Sequence, residues 1–482
     1  MLSIELIQNT EKRLYEQIYE YIREEIREGK LLTEEKLPSA RLLAEYLNVS
    51  RSTIDLAYAQ LVSEGYIEAR PYKGYYVCKV EELFWLHAEE STLRGQAGNR
   101  GVSGKRVTGN TEDSAQKEMN RQFLYDFSPY AISMSQFPYA TWKKITGNIL
   151  VDANSEMFAL GEPQGDYELR TTISRYLHAS RGVNCSAEQI VIGAGNDYLL
   201  MLLEKILGEH LRIAMENPSY KRASNIFTSF SYEVCAVSMD DGGIAMKELK
   251  KSGADLAYVM PSHQFPTGIV MPIGRRFELL KWAKESENRY LIEDDYDSEF
   301  RYKGKPIPSL QASDRGGKVI YLGTFSKAIA PAIRVSYMVL PPALLEIYHQ
   351  KCYFYSSTVS RIDQRILNEF IRDGYFERYL NKMRKYYKEK HDLLLEELKP
   401  LEKKFVLSGE NGGLHILLHA RTGRKESELI EQAAAAGVRV YGISETYLEA
   451  PEDVGTTVLL GYAALSEQDI KEGTGRLKSA WL

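Results

Sequence analysis

Hydrophobic side chains near the start of the chain recur with the period of an α-helix. Leu14, Ile18, Ile22 and Ile26 are spaced four residues apart, and Gly29 follows at the position where a left-handed cap would end a helix. The pattern predicts one amphipathic helix whose apolar stripe faces a small core.

A second, shorter helix is predicted after Pro38. Ser39 is a suitable N-cap, because its hydroxyl can accept a hydrogen bond from a free backbone N–H of the first turn. Three apolar side chains of this helix are predicted to face inward: Leu42, Leu43 and Leu47.

A third helix is predicted to begin at the N-cap Ser50 and to end near Gly65. Its apolar side chains share one face: Ile54, Ala57, Tyr58 and Leu61. Only residues 48–49 separate the second helix from this N-cap, which is the spacing of a helix-turn-helix.

A β-hairpin is predicted next. The segment YIEARPYKGYYV has two short apolar runs on either side of residues 71–74, where proline and glycine favour a turn. The helices and the hairpin together predict a winged helix-turn-helix domain, α-helical with a β wing, over residues 10–80.

The third helix would be the recognition helix of such a domain. Backbone N–H groups and short donors at a helix N-terminus meet phosphates and base edges in the major groove. The residues predicted to contact DNA lie there and beside the groove: Arg41, Ser50, Arg51, Ser52, Thr53, Arg70 and Lys73. The alternative is that they are solvated charges on a small helical domain. The three helices and the wing favour operator DNA as a partner.

Residues 81–121 are predicted to be a flexible linker. The segment HAEESTLRGQAGNRGVSGKRVTGNTEDSAQKEMNR has almost no large apolar side chains and many Gly, Ser, Asn and charged residues. Such a composition cannot bury a core.

A larger domain is predicted over residues 122–482, with a smaller C-terminal α/β subdomain over about 345–482. Short apolar runs alternate with amphipathic stretches there: QIVIGAG, RIAMENP, LAYVMPS, RYLIEDDY, VIYLGTF and VSYMVL. Strands that alternate with helices predict an α/β domain with a mostly parallel sheet. Ligands of such sheets bind at the C-terminal ends of the strands.

Composition narrows the class of protein. The chain has 482 residues, of which 44% are hydrophobic and 26% charged, and this balance suits a large core. It contains no run of eighteen apolar residues and its start is charged, so we expect a cytoplasmic protein with no membrane partner. The net charge of −5 alone does not indicate a nucleic-acid partner. The four cysteines are far apart, and we expect neither disulfides nor a metal site.

The candidate chemistry lies at predicted strand ends. Residues 193–196 lead into a helix whose first N–H groups could hold a phosphate, residues 294–296 read Asp-Asp-Tyr, and Lys327 and Arg334 follow VIYLGTF. Each group alone has a plainer interpretation: a steric turn, solvated or Mg²⁺-binding acids, or a surface lysine. As an ordered set they match the needs of pyridoxal phosphate. These are an amine for covalent attachment, an acid for the ring nitrogen, a phenol for the ring oxygen, and donors with a cation for the phosphate.

The sequence also resembles known families. LPSARLLAEYLNVSRSTIDLAYAQLVSEGYIEARPYKGYYV resembles the winged helix-turn-helix of GntR-type bacterial repressors. MPSHQFPTGIVMP, IEDDYDSEF and GTFSKAIAPAIRVSYMVLPP resemble the fold-type-I aminotransferases. The whole chain is similar to the MocR/GabR family of bacterial regulators, in which these two domains are fused.

The resemblance implies a set of cofactor contacts. Lys327 would form the Schiff base with pyridoxal 5'-phosphate, Asp294 would pair with the ring nitrogen, Tyr296 would bond the phenolic oxygen and Tyr220 would lie against the ring. The residues implied to surround the phosphate are Ala194, Gly195, Asn196, Thr324, Ser326 and Arg334.

Phe265 is a departure from the enzymatic aminotransferases. Their usual motif has an asparagine before Pro-Thr-Gly that donates to the phenolic oxygen, and phenylalanine cannot donate; His263 and Gln264 could compensate only in part. We therefore expect a pyridoxal-phosphate-dependent transcriptional regulator without efficient turnover. The alternative is an active aminotransferase with an appended DNA-binding domain.

The resemblance also bears on the effector and on assembly. In the γ-aminobutyrate-responsive member, an arginine after a Gly-x-Ser near the C-terminus helps hold the effector's carboxylate; here Glu445 stands at that position, while Arg222 is retained. Like charges repel, so we expect pyridoxal phosphate itself or an amino compound other than γ-aminobutyrate, sensed through an external aldimine at Lys327. The alternative is that Glu445 faces solvent. The family implies a domain-swapped homodimer, with each DNA-binding domain packed on the partner subunit.

Overall fold

The computed structural model describes residues 4, 12–70, 73–78, 123–302, 307–409, 412–421, 423–451 and 455–482. The predicted linker, residues 81–121, and residues 71–72 of the predicted wing turn lie outside these described residues. The described elements fall in two parts of the chain, an N-terminal part up to residue 78 and a larger part from residue 123.

Three helices and a hairpin form the N-terminal part. The helices are α1 (Leu14–Arg27), α2 (Ala40–Leu47) and α3 (Arg51–Ser63), and the hairpin pairs β1 (Ile67–Arg70) antiparallel with β2 (Gly74–Val77). Their buried side chains form one core, with these residues fully enclosed: Ile18, Ile22, Ile54, Tyr58 and Leu61. This is the winged helix-turn-helix predicted from the sequence.

The helix-turn-helix is fixed by local capping. Ser39 Oγ accepts a hydrogen bond from the N–H of Leu42 at 3.2 Å, and Ser50 Oγ accepts one from the N–H of Thr53 at 3.2 Å. Asn48 ends α2 with a left-handed φ of 52°, a conformation that asparagine tolerates better than most residues. Both predicted N-caps are therefore present.

The prediction that Leu42 faces inward is wrong. Its side chain is 48% exposed, whereas Leu43 and Ala44 are buried. Successive helical residues are rotated by about 100°, so a stripe centred on Leu43, Ala44 and Leu47 leaves Leu42 on its outer edge.

An eight-stranded sheet is the framework of the larger part. After β3 (Tyr125–Asp126), its strands are β4 (Ile190–Gly193), β5 (Arg212–Asn217), β6 (Glu233–Asp240), β7 (Gly243–Ile244), β8 (Leu256–Val259), β9 (Tyr290–Asp295), β10 (Val319–Thr324) and β11 (Ser336–Val339). Their order across the sheet is β4-β11-β10-β9-β8-β5-β6-β7. The five central strands are parallel, while β11 is antiparallel to both its neighbours and β7 is antiparallel to β6.

Helices pack on this sheet and divide the core. They are α4 (Tyr139–Ile149), α5 (Tyr167–Arg181), α6 (Asn196–Leu207), α7 (Lys221–Ser229), α8 (Met246–Ser252) and α9 (Ile273–Lys284). Successive residues of β11 belong to different hydrophobic clusters. Tyr337 packs in the cluster that contains α5, and Met338 packs in the cluster that contains α6. Both faces of the sheet are therefore buried, as expected for parallel strands.

The C-terminal region adds a second, antiparallel sheet. Its elements are α10 (Pro342–Lys351), α11 (Arg361–Arg372), α12 (Tyr375–Leu398), β12 (Phe405–Ser408), β13 (His415–Ala420), α13 (Glu426–Ala435), β14 (Val438–Arg439), β15 (Tyr441–Gly442), β16 (Thr457–Gly461) and α14 (Glu467–Trp481). The sheet order is β12-β13-β16-β15, and β14 pairs with β3. Within the described part of the chain, no helix is long and apolar enough to cross a membrane.

The end of α3 contacts the larger part of the chain. The carbonyl oxygen of Glu64 accepts a hydrogen bond from the N–H of Ile273 at 2.9 Å, and Arg301 Nη2 donates to Ser63 Oγ at 2.7 Å. The Glu64 carboxylate is buried and accepts from Tyr19 Oη at 2.7 Å. Ile273 packs in the same core as α1 and α3, so the N-terminal part is seated on the start of α9.

Replacing Gly65 by alanine is expected to weaken this contact. Gly65 has a φ of 76°, and a Cβ there would lie 2.8 Å from the Cβ of Pro272. Gly29 is a matched control, because its φ is 70° and a Cβ there would meet nothing within 4 Å. Gly29→Ala should cost about 1–2 kcal/mol for the left-handed backbone alone. Gly65→Ala should cost about 1–3 kcal/mol more from the clash. Equal losses of stability in urea unfolding would contradict the contact.

Candidate functional site

A cavity of about 230 Å³ opens where β9 and β10 end and α6 begins. Parallel pairing sets Asp294 opposite Leu322, so the segments after both strands emerge at one edge of the sheet. Ten of the residues predicted to bind cofactor or effector line it: Gly195, Asn196, Tyr220, Arg222, Asp294, Tyr296, Thr324, Ser326, Lys327 and Arg334. Three others are not part of its lining: Ala194, His263 and Glu445.

Lys327 is placed in the cavity by the turn after β10. Its Nζ donates to the carbonyl oxygens of Pro129 at 3.0 Å and Tyr130 at 3.3 Å. Burial lowers the pKa of the amine to about 8, although the charge of Asp297 opposes this. An appreciable fraction of the amine is therefore neutral near physiological pH, and the neutral amine is the form that attacks a carbonyl carbon.

Asp294 is a buried carboxyl at the end of β9. Tyr258 Oη donates a hydrogen bond to its Oδ2, and Asn196 Nδ2 donates to its Oδ1 at 3.4 Å. Burial raises the pKa of Asp294 to about 7, opposed by the Tyr258 hydrogen bond. A cationic N–H in the cavity would stabilise the ionised carboxylate, so this position suits the partner of a protonated ring nitrogen.

Tyr296 faces the cavity and is supported from behind by a histidine and an acid. His263 Nδ1 lies 3.0 Å from Tyr296 Oη and 3.0 Å from Asp297 Oδ2. Burial raises the pKa of the Tyr296 phenol, which keeps it protonated and able to donate. His263 was predicted to touch the cofactor, but in the structure it lies behind Tyr296 and off the cavity lining.

Phe265 provides an apolar wall. Its ring centroid lies 5.7 Å from that of Tyr130 and 6.3 Å from those of both Tyr220 and Tyr296. The side chain is buried and carries no donor or acceptor. Such a wall suits the face of a planar aromatic ligand, and it has no group that could polarise the ring.

The start of α6 and the turn after β10 form a cradle for an anion. The Oγ of Ser326 and the Oδ1 of Asn196 are buried without a hydrogen-bond partner in the described chain. Gly195 has a φ of 91°, and a Cβ there would collide with the guanidinium of Arg334. An unpaired hydroxyl, a helix N-terminus and an arginine in close approach fit a phosphate group.

Two predicted cradle residues are already hydrogen-bonded within the protein. The N–H of Ala194 donates to Thr358 Oγ1 at 3.0 Å, so this N–H is not directed at a ligand. Thr324 Oγ1 accepts from the N–H of Ser326 at 3.2 Å and from Ser336 Oγ at 2.9 Å. Thr324 still lines the cavity, but Ala194 supports the cradle from outside.

Asp197 was not predicted, although it lines the cavity. Its Oδ2 accepts a hydrogen bond from Arg222 Nη2, and Arg334 Nη2 lies 3.3 Å from the same oxygen. An acid in the first turn of a helix is usually explained by the helix dipole, so no separate signal for this role of Asp197 is present in the sequence.

Glu445 lies in the turn that follows β15 and is exposed. Burial of its carboxyl and the nearby charge of Glu426 raise its pKa. It lies close enough to Tyr130, a lining residue, to raise the pKa of that phenol, after the larger effect of burial. Glu445 is thus exposed and outside the cavity lining, near Tyr130, and its predicted role in effector binding stays a prediction.

The predicted DNA-contacting residues are mostly on the surface. Arg51 and Ser52 are exposed at the start of α3, and Arg51 lies 3.4 Å from Asp55. Arg41 is also exposed and lies 3.4 Å from Glu45. Such surface ion pairs are weak, so both guanidiniums remain able to meet a phosphate.

Other predicted DNA contacts already have partners in the domain. The hydroxyl of Ser50 caps α3 and lies 2.8 Å from the hydroxyls of both Ser52 and Thr53. Arg70 pairs with Glu34 at 2.6 Å and also with Glu68, whereas Lys73 is exposed at the tip of the hairpin. Lys73 is therefore better placed than Arg70 to reach DNA.

Comparisons with known proteins agree with this two-part arrangement. The family described as "Aminotransferase class I and II" matches residues 132–477, and "Bacterial regulatory proteins, gntR family" matches residues 14–77. Both parts of the chain are therefore matched independently.

Two curated relatives match nearly the whole chain, and a solved structure matches most of it. The uncharacterized HTH-type transcriptional regulator YdeL of Bacillus subtilis (strain 168) is 40% identical, covering 97% of this chain and 96% of YdeL. The probable rhizopine catabolism regulatory protein MocR of Rhizobium meliloti is 30% identical, covering 97% of this chain and 94% of that protein. The solved multiple substrate aminotransferase of Thermococcus profundus is 25% identical with a TM-score of 0.68, covering 77% of this chain and 95% of that structure.

Uptake of pyridoxal phosphate by cofactor-free protein is expected to become faster from about pH 6 to pH 8. The pKa of Lys327 is lowered to about 8, so below that pH the reactive neutral amine grows roughly tenfold per pH unit and above it levels off. The rate is measured as the growth of visible absorbance after mixing. Nα-acetyl-lysine, with an ordinary pKa of about 10.4, is the control and should keep accelerating above pH 8. A protein rate that also climbs to pH 10 would contradict the lowered pKa.

Proposed function

The chain belongs to the MocR family of HTH-type transcriptional regulators, and from this premise we propose that it senses pyridoxal phosphate or a small amino compound in the cavity that contains Lys327. The observation that carries the proposal is that a buried amine, a buried acid and an anion cradle meet in one cavity of the described chain. In the same chain, a gntR-type DNA-binding domain is seated on the larger domain at Ile273.

The cofactor is pyridoxal 5'-phosphate, which when bound supplies an electrophilic carbon that holds amines covalently and absorbs visible light. Lys327 would present its neutral amine to that carbon, and Asp294 would hold a proton on the ring nitrogen. Tyr296 would donate to the ring oxygen, while Ser326 and Arg334 would bind the phosphate. The unpaired Ser326 hydroxyl and the lowered pKa of Lys327 support these assignments.

The DNA-binding domain would place α3 in the major groove. Arg51 and Ser52 at its exposed start would meet phosphates and base edges, with Arg41 and Lys73 on the flanking backbone. These phosphate contacts release counterions, so affinity would fall as salt rises.

The character of the cavity supports sensing over turnover. Phe265 stands where the enzymatic motif has an asparagine that donates to the phenolic oxygen, and His263 is held behind Tyr296. The protein would therefore bind the ring firmly and polarise it weakly. Transamination of common amino acids at about 1–10³ per second, the range typical of enzymes, would instead favour an active aminotransferase over a sensor.

The effector is proposed to be pyridoxal phosphate itself or an amino compound other than γ-aminobutyrate. Glu445, which is near the lining residue Tyr130, would place a negative charge close to the cavity, where a second carboxylate would be repelled. A saturable change in the visible spectrum with sub-millimolar γ-aminobutyrate would contradict this.

The working form is proposed to be a cytoplasmic homodimer with exchanged DNA-binding domains, in which the contact of α3 with α9 that is formed here within one chain would be formed between subunits. Several large apolar side chains outside the N-terminal part are largely exposed: Tyr139, Phe158, Leu160 and Phe354. Exposed apolar groups of this size are typical of interaction surfaces. A monomer by light scattering at micromolar concentration would contradict the dimer.

Lys327→Ala is expected to abolish covalent cofactor attachment. Borohydride treatment should fix pyridoxal phosphate onto the wild-type chain at Lys327, and the variant should remain unlabelled because the only amine aimed into the described cavity is gone. Lys318→Ala, which removes a lysine at the opposite end of β10, is the control and should label normally. Labelling of the Lys327 variant at wild-type yield would overturn the assignment.

Arg51→Ala is expected to weaken operator binding and leave the cofactor spectrum unchanged. Loss of one phosphate contact should reduce the slope of log affinity against log salt by about one. Arg27→Ala removes an arginine of the same domain that lies 3.3 Å from Glu24 on α1, and it should bind DNA normally. Gel shifts at several salt concentrations measure the operator affinity of both variants. Unchanged affinity for Arg51→Ala would show that this residue does not contact the operator.

A further inference from the structure

Asp197 holds both arginines of the cavity. Its Oδ2 accepts a hydrogen bond from Arg222 Nη2, and Arg334 Nη2 lies 3.3 Å away. All three side chains line the cavity. Arg222 is the residue that would bind a carboxylate on the effector, and in this chain it already has one.

The charges of the lining decide what remains for an effector. The described lining carries five charged side chains: Asp197, Arg222, Asp294, Lys327 and Arg334. In the proposed function three of these are engaged by the cofactor, namely Lys327, Asp294 and Arg334. The remaining Arg222 and Asp197 form a pair with no net charge.

Two further cations lie near Glu445, and one of them has an acidic partner. Lys221 and Arg439 lie close enough to Glu445 to lower its pKa, against the larger effects of burial and Glu426. Arg439 Nη1 lies 3.8 Å from the carboxylate of Asp126. Within the described lining, the one cation that the cofactor would leave to a carboxylate is Arg222, and it is already paired with Asp197.

We propose that Asp197 is a specificity-determining residue which keeps Arg222 from binding a carboxylate, so that the effector is a primary amine without a carboxylate at its far end. This inference rests on the proposed function of the cavity. An anion that binds Arg334 removes it as a second partner of Asp197. Asp197 then interacts with Arg222 alone, and the attraction between these two residues becomes stronger. The carboxylate is part of the wall, and it rejects a like charge and tolerates a neutral or cationic tail.

The solvent exposure of the Arg222–Asp197 pair sets how far its loss changes effector affinity. The Arg222 and Asp197 side chains are 60% and 32% exposed, so solvent screens the pair. A change of about fivefold in relative affinity is the scale expected when such a pair is broken. This is well within the resolution of a spectral titration.

The test compares two ligands of equal length on cofactor-loaded protein. n-Butylamine and γ-aminobutyrate have amines of similar basicity and differ at the far end, so their dissociation constants, read from the visible spectrum, isolate the carboxylate. Wild-type protein should bind n-butylamine more tightly. Asp197→Asn should shift the ratio toward γ-aminobutyrate by about fivefold. Glu168→Gln removes a carboxylate paired with Arg365 away from the cavity, and it should leave the ratio unchanged.

A second variant tests the same idea without altering Asp197. Arg222→Gln in the wild-type background should change γ-aminobutyrate affinity by less than about twofold, because this arginine is already occupied. Combined with Asp197→Asn, it should cancel the gain. A loss above about fivefold in Arg222→Gln alone, or an equal shift for both ligands in Asp197→Asn, would overturn the role of Asp197 while leaving the proposed function intact. A spectrum that responds to neither amine would overturn the role of Asp197 and leave pyridoxal phosphate itself as the proposed effector, whereas a protein that takes up no pyridoxal phosphate would overturn the proposed function.

Discussion

The cavity depends on one buried ion pair, between Arg181 on α5 and Asp295 at the end of β9. Arg181 Nε lies 2.8 Å from Asp295 Oδ2, and the two side chains are 5% and 2% exposed. Arg181 also donates to the backbone of Ile307 and to the hydroxyl of Ser262, and Tyr321 Oη donates to Asp295 at 2.5 Å. Loss of either charge would leave an unpaired buried ion, at a cost of about 3–5 kcal/mol. Asp294 and Tyr296, the residues on either side of Asp295, line the cavity. The ion pair therefore holds in place the edge of the sheet where the ligand site lies.

Local patterns predicted most of the elements and many of the cavity residues. The helical period and the N-caps Ser39 and Ser50 involve residues within one turn of each other, so the sequence alone is enough to place the helix-turn-helix. Asp294 and Lys327 were predicted from their positions after apolar runs, and the parallel pairing of β9 and β10 brings them to one edge. Leu42 was misplaced because neighbouring apolar residues on a short helix leave the centre of the buried stripe undefined.

Contacts between distant parts of the chain account for what the sequence could not predict. Asp197 meets one arginine 25 residues away and another 137 residues away, and Lys327 meets a carbonyl oxygen 198 residues away. The N–H of Ala194 is satisfied by Thr358, which is 164 residues distant. No period or cap encodes such pairs, because they depend on the packing of whole helices and strands.

One short segment joins the wall of the cavity to the DNA-binding domain. Phe265 lies within it, between Pro261 and Met271, whose carbonyl oxygens both accept hydrogen bonds from Arg276 at 2.9 Å. The chain then continues directly to Ile273, which donates to the end of α3. Because one buried guanidinium holds both ends of the loop, the loop has little freedom to absorb a displacement of its apolar side chain. The position of that wall and the seat of α3 are thus set by the same few hydrogen bonds, so a displacement of the wall would be passed on to α3 instead of being absorbed within the loop.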